Sequence, residues 1–176
     1  NYENQLNQAV KLLDMNVPTE RIVIRVDPII PTDKGLKKAE KVILKAIELG
    51  FNRFRISLID MYPHVRERFK ENGLPLPYGD YFSPSNMLFQ KTDMWLKGLK
   101  NQYPFITIES CAEGKLLETE QLGCVSRKDF ELLGLDLDNI DSIGYQRKGC
   151  LCCSAKTELL SKKEQCPYKC LYCYWK

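Results

Sequence analysis

The sequence holds one histidine, His64, and no long apolar run. A single histidine with no phosphate loop and no dinucleotide fingerprint leaves the commonest hydrolase and nucleotide-binding patterns without their residues. The longest apolar stretch, around Arg21–Ile30, is short and broken by charges, so no membrane-spanning helix is expected. The opening Asn-Tyr-Glu-Asn-Gln lacks the basic-then-apolar order of a signal peptide, and a cytoplasmic protein is expected. The chain begins at Asn1, which suggests a processed or truncated piece. Net charge is only +3, too small by itself to argue for nucleic acid. His64 follows Pro63 at a helix start, where a surface or capping role is the ordinary reading.

What is present is a chain of 176 residues, 44% hydrophobic and 28% charged, which suits one globular domain. Cysteine stands out. Six of the eight cysteines fall after Gly149: Cys150, Cys152, Cys153, Cys166, Cys170 and Cys173. A disulfide scaffold would spread its cysteines through a small secreted domain. Here they crowd onto a tail behind a cysteine-poor body, a pattern that favours metal or cluster ligation.

The body alternates helical and extended segments. Helices are expected over Glu3–Asn16, Gly35–Leu49, Pro63–Asn72, from Ser83-Pro84 to about Asn101, and over Ser126–Leu133. Strands are expected at Arg21–Asp27, Arg53–Ile59 and Phe105–Ser110, with Gly73–Phe82 a loop. Strands separated by helices imply right-handed crossovers and a parallel sheet. Three strands cannot close an eight-stranded barrel. The expected fold is therefore α/β, a partial β/α barrel over residues 1–145 with a Cys-rich tail over 146–176. Unpaired strand edges would then call for a missing N-terminal segment or a partner that completes the sheet.

Alternation gives each strand two faces. Ile22, Ile24 and Val26 oppose Val23, Arg25 and Asp27. Phe54, Ile56 and Leu58 oppose Arg53, Arg55 and Ser57. Ile106 and Ile108 oppose Thr107, Glu109 and Cys111. One face suits packing under helices. The other carries charges of both signs near the C-terminal strand ends, where ligands of parallel α/β folds gather. A polar lumen binding a charged ligand through Arg25, Asp27, Arg55, Ser57, Glu109 and Glu113 is one reading. A solvated face or a structural ion-pair network is the other.

The tail reads Cys166-Pro-Tyr-Lys-Cys170-Leu-Tyr-Cys173. Thiolates suit an iron–sulfur cluster or zinc. Three ligands at these gaps can wrap three corners of a four-iron cluster and leave one iron open. Cys150, Cys152 and Cys153, together with Cys111 and Cys124, are either ligands of a second cluster or simply buried thiols; Cys111, at a strand end, is the better additional ligand, and Cys124 reads as structural. Zinc is the alternative, with Cys150 and Cys152 joined by Cys166 and either Cys170 or Cys173.

The Cys-x3-Cys-x-aromatic-Cys loop resembles the signature of the radical S-adenosylmethionine (SAM) superfamily. That resemblance implies a four-iron four-sulfur cluster, SAM on its open iron, radical chemistry, and Tyr172 beside the adenine. Further motifs occur in order: Arg25-Val-Asp27-Pro28-Ile29-Ile30, Ser57-Leu-Ile-Asp60-Met-Tyr62, Cys111-Ala-Glu113, and Gln146-Arg147-x-x-Cys150-x-Cys152. Together they resemble the domain-of-unknown-function family eighteen forty-eight, which is similar to radical SAM barrels such as spore photoproduct lyase and the DNA repair photolyase-like proteins. The resemblance implies a longer N-terminal half bearing the first barrel strands, and it supplies a cofactor class without a substrate. The tail from Gln146 to Lys176 has seven basic and two acidic residues, interleaved with Tyr168, Tyr172, Tyr174 and Trp175. Such a tail can face nucleic acid or simply surround an anionic cluster. Two functions are therefore expected to compete: a radical SAM-type enzyme, or the cluster-bearing half of one, and a non-catalytic metal module serving folding, electron transfer or docking.

Overall fold

A computed structural model describes residues 1–136, 151, 166–168 and 170–175. Cys150, Cys152 and Cys153, expected as ligands, lie outside the described residues, as does most of the expected tail domain.

Helix α1 spans Tyr2–Asp14, and the Asn1 side chain caps it by accepting from the Glu3 N–H. A short 3-10 turn over Thr19–Arg21 follows Pro18. That turn takes the residues expected to open the first strand, so β1 runs Ile24–Ile29 instead of Arg21–Asp27. The Asp27–Pro28 peptide bond is cis, and the β1 register shifts between Val26 and Ile29.

Helix α2, Asp33–Glu48, starts two residues before the glycine expected to open it, because Thr32 caps it by accepting from the Gly35 N–H. Gly35 is required there. A Cβ at this position would stand 1.9 Å from the Ile30 carbonyl oxygen. Gly50, at φ 94°, ends the helix as expected. Strand β2 is Arg53–Leu58 and is buried throughout. Helix α3, Pro63–Glu71, carries its proline at the first turn, where the missing N–H costs nothing. Helix α4, Asn86–Gln102, is capped by Ser85 and not by Ser83.

Strand β3 is Thr107–Ser110. A two-residue strand β4, Glu120–Gln121, joins it, and helix α5 covers Arg127–Leu133. Two polar residues have no periodicity to read, so β4 is invisible in the sequence. All pairings are parallel, in the order β1-β2-β3-β4. The strands advance in one direction, as in a barrel wall, with no reversal of the doubly wound kind.

One sheet face is the core. Phe54, Ile56, Leu58 and Ile108 pack with Leu36, Ala39, Ile43 and Ala46 of α2 and with Phe89, Leu96 and Leu99 of α4. Each large side chain buried there contributes about 1.5–3 kcal/mol. A second cluster of Ile59, Met61, Val65, Phe69 and Tyr78 lies beyond the C-terminal end of β2, and Leu171 of the tail packs on it.

Candidate functional site at the strand ends

The parallel register sets the polar face in rows. Arg25 lies beside Arg55, and Arg55 beside Glu109. Two residues further on come Asp27 of β1 and Ser57 of β2, and Cys111 just past the end of β3.

The first row is a closed ion-pair network. Glu109 is fully buried. Its Oε1 accepts from Arg53 Nε at 2.6 Å, and its Oε2 accepts from Arg55 Nε at 2.9 Å and Nη2 at 2.5 Å. Asp129 of α5 accepts from Arg53 Nη2 at 2.6 Å and lies 3.3 Å from Arg55 Nη2. The remaining guanidinium N–H groups reach backbone: Arg53 Nη1 donates to the Glu20 carbonyl at 3.0 Å, and Arg55 Nη1 to the Cys124 carbonyl at 2.7 Å. Lys128 Nζ stands 3.6 Å from Glu109.

Burial, the largest influence on Asp129, raises its pKa. The Ser126 N–H, Arg55 and Arg53 outweigh it and hold the carboxyl below its ordinary value. Burial likewise opposes charge on Arg53, and Glu109 and Asp129 overcome it. Arg55 and Glu109 are thus engaged with each other, Glu109 also with Arg53, and Arg55 also with Asp129 and the Cys124 carbonyl.

The second row faces the mouth. Ser57 Oγ donates to Asp27, which also accepts from Arg25. Glu113 Oε1 accepts from the Leu58 N–H at 2.8 Å, and so holds the C-terminal end of β2. Arg25 and Asp27 are exposed, while Cys111 is buried.

The cysteine loop is seated beside this row. Cys166, Cys170 and Cys173 are half-buried thiols. A turn at Leu171-Tyr172 brings the Cys173 N–H to the Cys170 carbonyl at 3.1 Å. Arg68 of α3 clamps the segment, donating to the carbonyls of Cys173 and Trp175, each at 2.7 Å. Tyr172 is pushed up to about 12, first by its hydrogen bond with Cys170, then by burial and by the charges of Cys170, Asp27 and Cys173. Leu171 packs on the apolar cluster beyond the C-terminal end of β2, which puts the loop at that end of the strands. His64 stacks on Tyr62 at the start of α3, 5.6 Å between ring centroids.

A family model covers residues 1–175. The protein belongs to the family described as Domain of unknown function (DUF1848). No curated protein and no solved structure matches the chain.

Within this DUF1848 chain, no three His, Cys, Asp or Glu among the described residues meet around a single metal ion. A cluster makes a different demand. Its thiolates bind different irons and stand further apart than ligands of one ion. Three half-exposed thiols lie on one short segment, and Leu171 between them packs on an apolar cluster.

Arg53, Asp129 and Arg68 contact residues of the candidate site, and the sequence analysis leaves all three off it. Arg53 shares a face with Arg55, and Asp129 completes a Ser126-x-x-Asp129 capping box, so both had a signal. Arg68 sits on an ordinary charged helix and had none.

Proposed function

We propose that Cys166, Cys170 and Cys173 hold a four-iron four-sulfur cluster, and that the protein is a radical SAM-type enzyme, or the cluster-bearing half of one, acting on an unidentified substrate. The observation that carries this reading is the seating of the Cys-x3-Cys-x2-Cys loop at the strand ends, clamped by Arg68 and held through Leu171 on the apolar cluster beyond β2. When bound, the cluster supplies the electron that cleaves the sulfonium bond of SAM.

The chain's own residues supply recognition. Asp27 accepts hydrogen bonds from an ammonium or a ribose hydroxyl, and Arg25, exposed beside it, pairs with a carboxylate. Tyr172, with its pKa pushed up to about 12, keeps its proton at neutral pH and presents a flat ring edge to a base. Arg55 and Glu109 support the floor from behind.

Anaerobic purification should yield roughly four irons and four sulfides per chain. Asp27→Ala should weaken SAM binding, measured calorimetrically, with iron content unchanged. Cys170→Ala should abolish both. Stoichiometric zinc without iron would overturn the proposal in favour of a structural metal module.

A further inference from the structure

A second pair of thiols lies outside the proposed cluster loop. Cys111 follows β3 directly, and Cys124 lies just before Ser126, the N-cap of α5. Their Sγ atoms are 3.3 Å apart, with Cys124 as donor, and neither is in a disulfide. A disulfide bond would need them only about 1.3 Å closer. Ala112, next to Cys111, has φ 59°, a left-handed conformation that a residue with a Cβ keeps only where its surroundings impose it.

The two sulfurs differ in access and in charge environment. Cys111 is 3% exposed. Cys124 is half-buried and lines a cavity of about 320 Å³ together with Arg21, Arg25, Arg53, Arg55 and Asp129. Burial works against the charge of Arg25, but Asp27 and Cys124 outweigh it and hold its pKa above the ordinary value.

We propose that Cys111 and Cys124 form a redox-active dithiol, with Cys124 the attacking and Cys111 the resolving thiol, which closes to a disulfide on meeting a small-molecule disulfide. The Cys124 thiolate attacks one sulfur of the oxidant, whose S–S bond breaks. The departing thiolate takes up the proton that Cys124 gave to solvent. Cys111 then loses its proton and attacks the Cys124 sulfur, expelling the second small thiol. Two protein thiols are oxidised and one disulfide is reduced to two thiols.

The bond would tie the end of β3 to the segment entering α5, whose Cys124 carbonyl holds Arg55. It would also take the thiol away from Arg25, leaving that guanidinium to Asp27. Oxidation is thereby read at the polar mouth. This inference does not depend on the cluster proposal.

The test is exposure of the intact, anaerobically purified protein to oxidised glutathione, followed by differential alkylation and peptide mass spectrometry. The wild type should show a Cys111–Cys124 cross-link that dithiothreitol reverses. Cys111→Ser should trap glutathione on Cys124 at least tenfold above wild type, and Cys124→Ser should leave Cys111 unmodified. If Cys111→Ser fails to fold, by circular dichroism, the wild-type cross-link decides alone. Stable glutathione on wild-type Cys124, a cross-link from Cys124 to a tail cysteine, or two thiols that alkylate only after chelation would each overturn the proposal.

Discussion

Glu109 is the residue on which the polar face turns. It is fully buried and paired with two guanidiniums, which Asp129 of α5 also reaches. Removing one member of a buried charge network leaves the others uncompensated, at about 3–5 kcal/mol. Glu109→Ala should lose stability on that scale in urea titration, whereas Lys45→Ala, at an exposed pair with Glu48, should leave the urea midpoint nearly unchanged. Asp129 adds a pH signature. Its folded pKa lies below the unfolded value, so the folded state binds fewer protons there. The stability it contributes is complete above the unfolded carboxyl pKa of about 3.9 and is lost as pH falls through the lowered folded value. Asp129→Asn should flatten that acid limb of the stability profile, read by denaturant midpoints between neutral pH and strong acid. At this scale the alternation of Arg53, Arg55 and Ser57 was legible, because a strand repeats every two residues. The partner Asp129 was not, because it reaches the arginines from 74 and 76 residues along the chain and reads locally as a cap residue.

Among the elements, α3 does two jobs. Its apolar side, through Val65 and Phe69, closes the second cluster, and its Arg68 holds the cysteine loop by two backbone carbonyls. Because those acceptors are backbone, the clamp fixes the path of the loop whatever its side chains bind. Arg68→Ala should leave the melting of the β/α body nearly unchanged and should raise amide hydrogen exchange at Leu171–Cys173. Equal protection in the variant would mean that Leu171 alone seats the loop. The helices themselves were legible from apolar spacing, to within two or three residues at their ends. Where the reading slipped, a cap decided: Thr32 and Ser85 set the starts of α2 and α4, and several Ser and Thr nearby compete for that role in the sequence. The 3-10 turn at Thr19–Arg21 moved β1 because its hydrogen bonds to Pro18 and Thr19 outweigh the β-branched pattern beyond it.

For the whole molecule, the described sheet has β1 and β4 at its two ends, and no strand among the described residues pairs with their outer sides. A long exposed parallel edge recruits strands. β1 is the longer edge, so the protein should self-associate with rising concentration in analytical ultracentrifugation, and a peptide that pairs with β1 should suppress this. A strictly monomeric species at high concentration would mean that β1 is covered in another way. No helix among the described residues is long and apolar enough to cross a membrane. The parallel α/β class was legible because helix and strand periods alternate cleanly. The count of four strands was not.

The chain order of the network sets a schedule for synthesis. Strands that pair with their immediate predecessors can assemble as the polypeptide leaves the ribosome, with little waiting for distant segments. Charge balance follows a later clock. Arg53 and Arg55 emerge first, Glu109 then serves both, and Asp129 arrives only with α5. A nascent body that stops short of α5 carries two guanidiniums on one carboxylate, so its sheet cannot seal its polar face. Translation past Asp129 completes the network, so nascent chains arrested before α5 should be cut faster by protease than chains that include it.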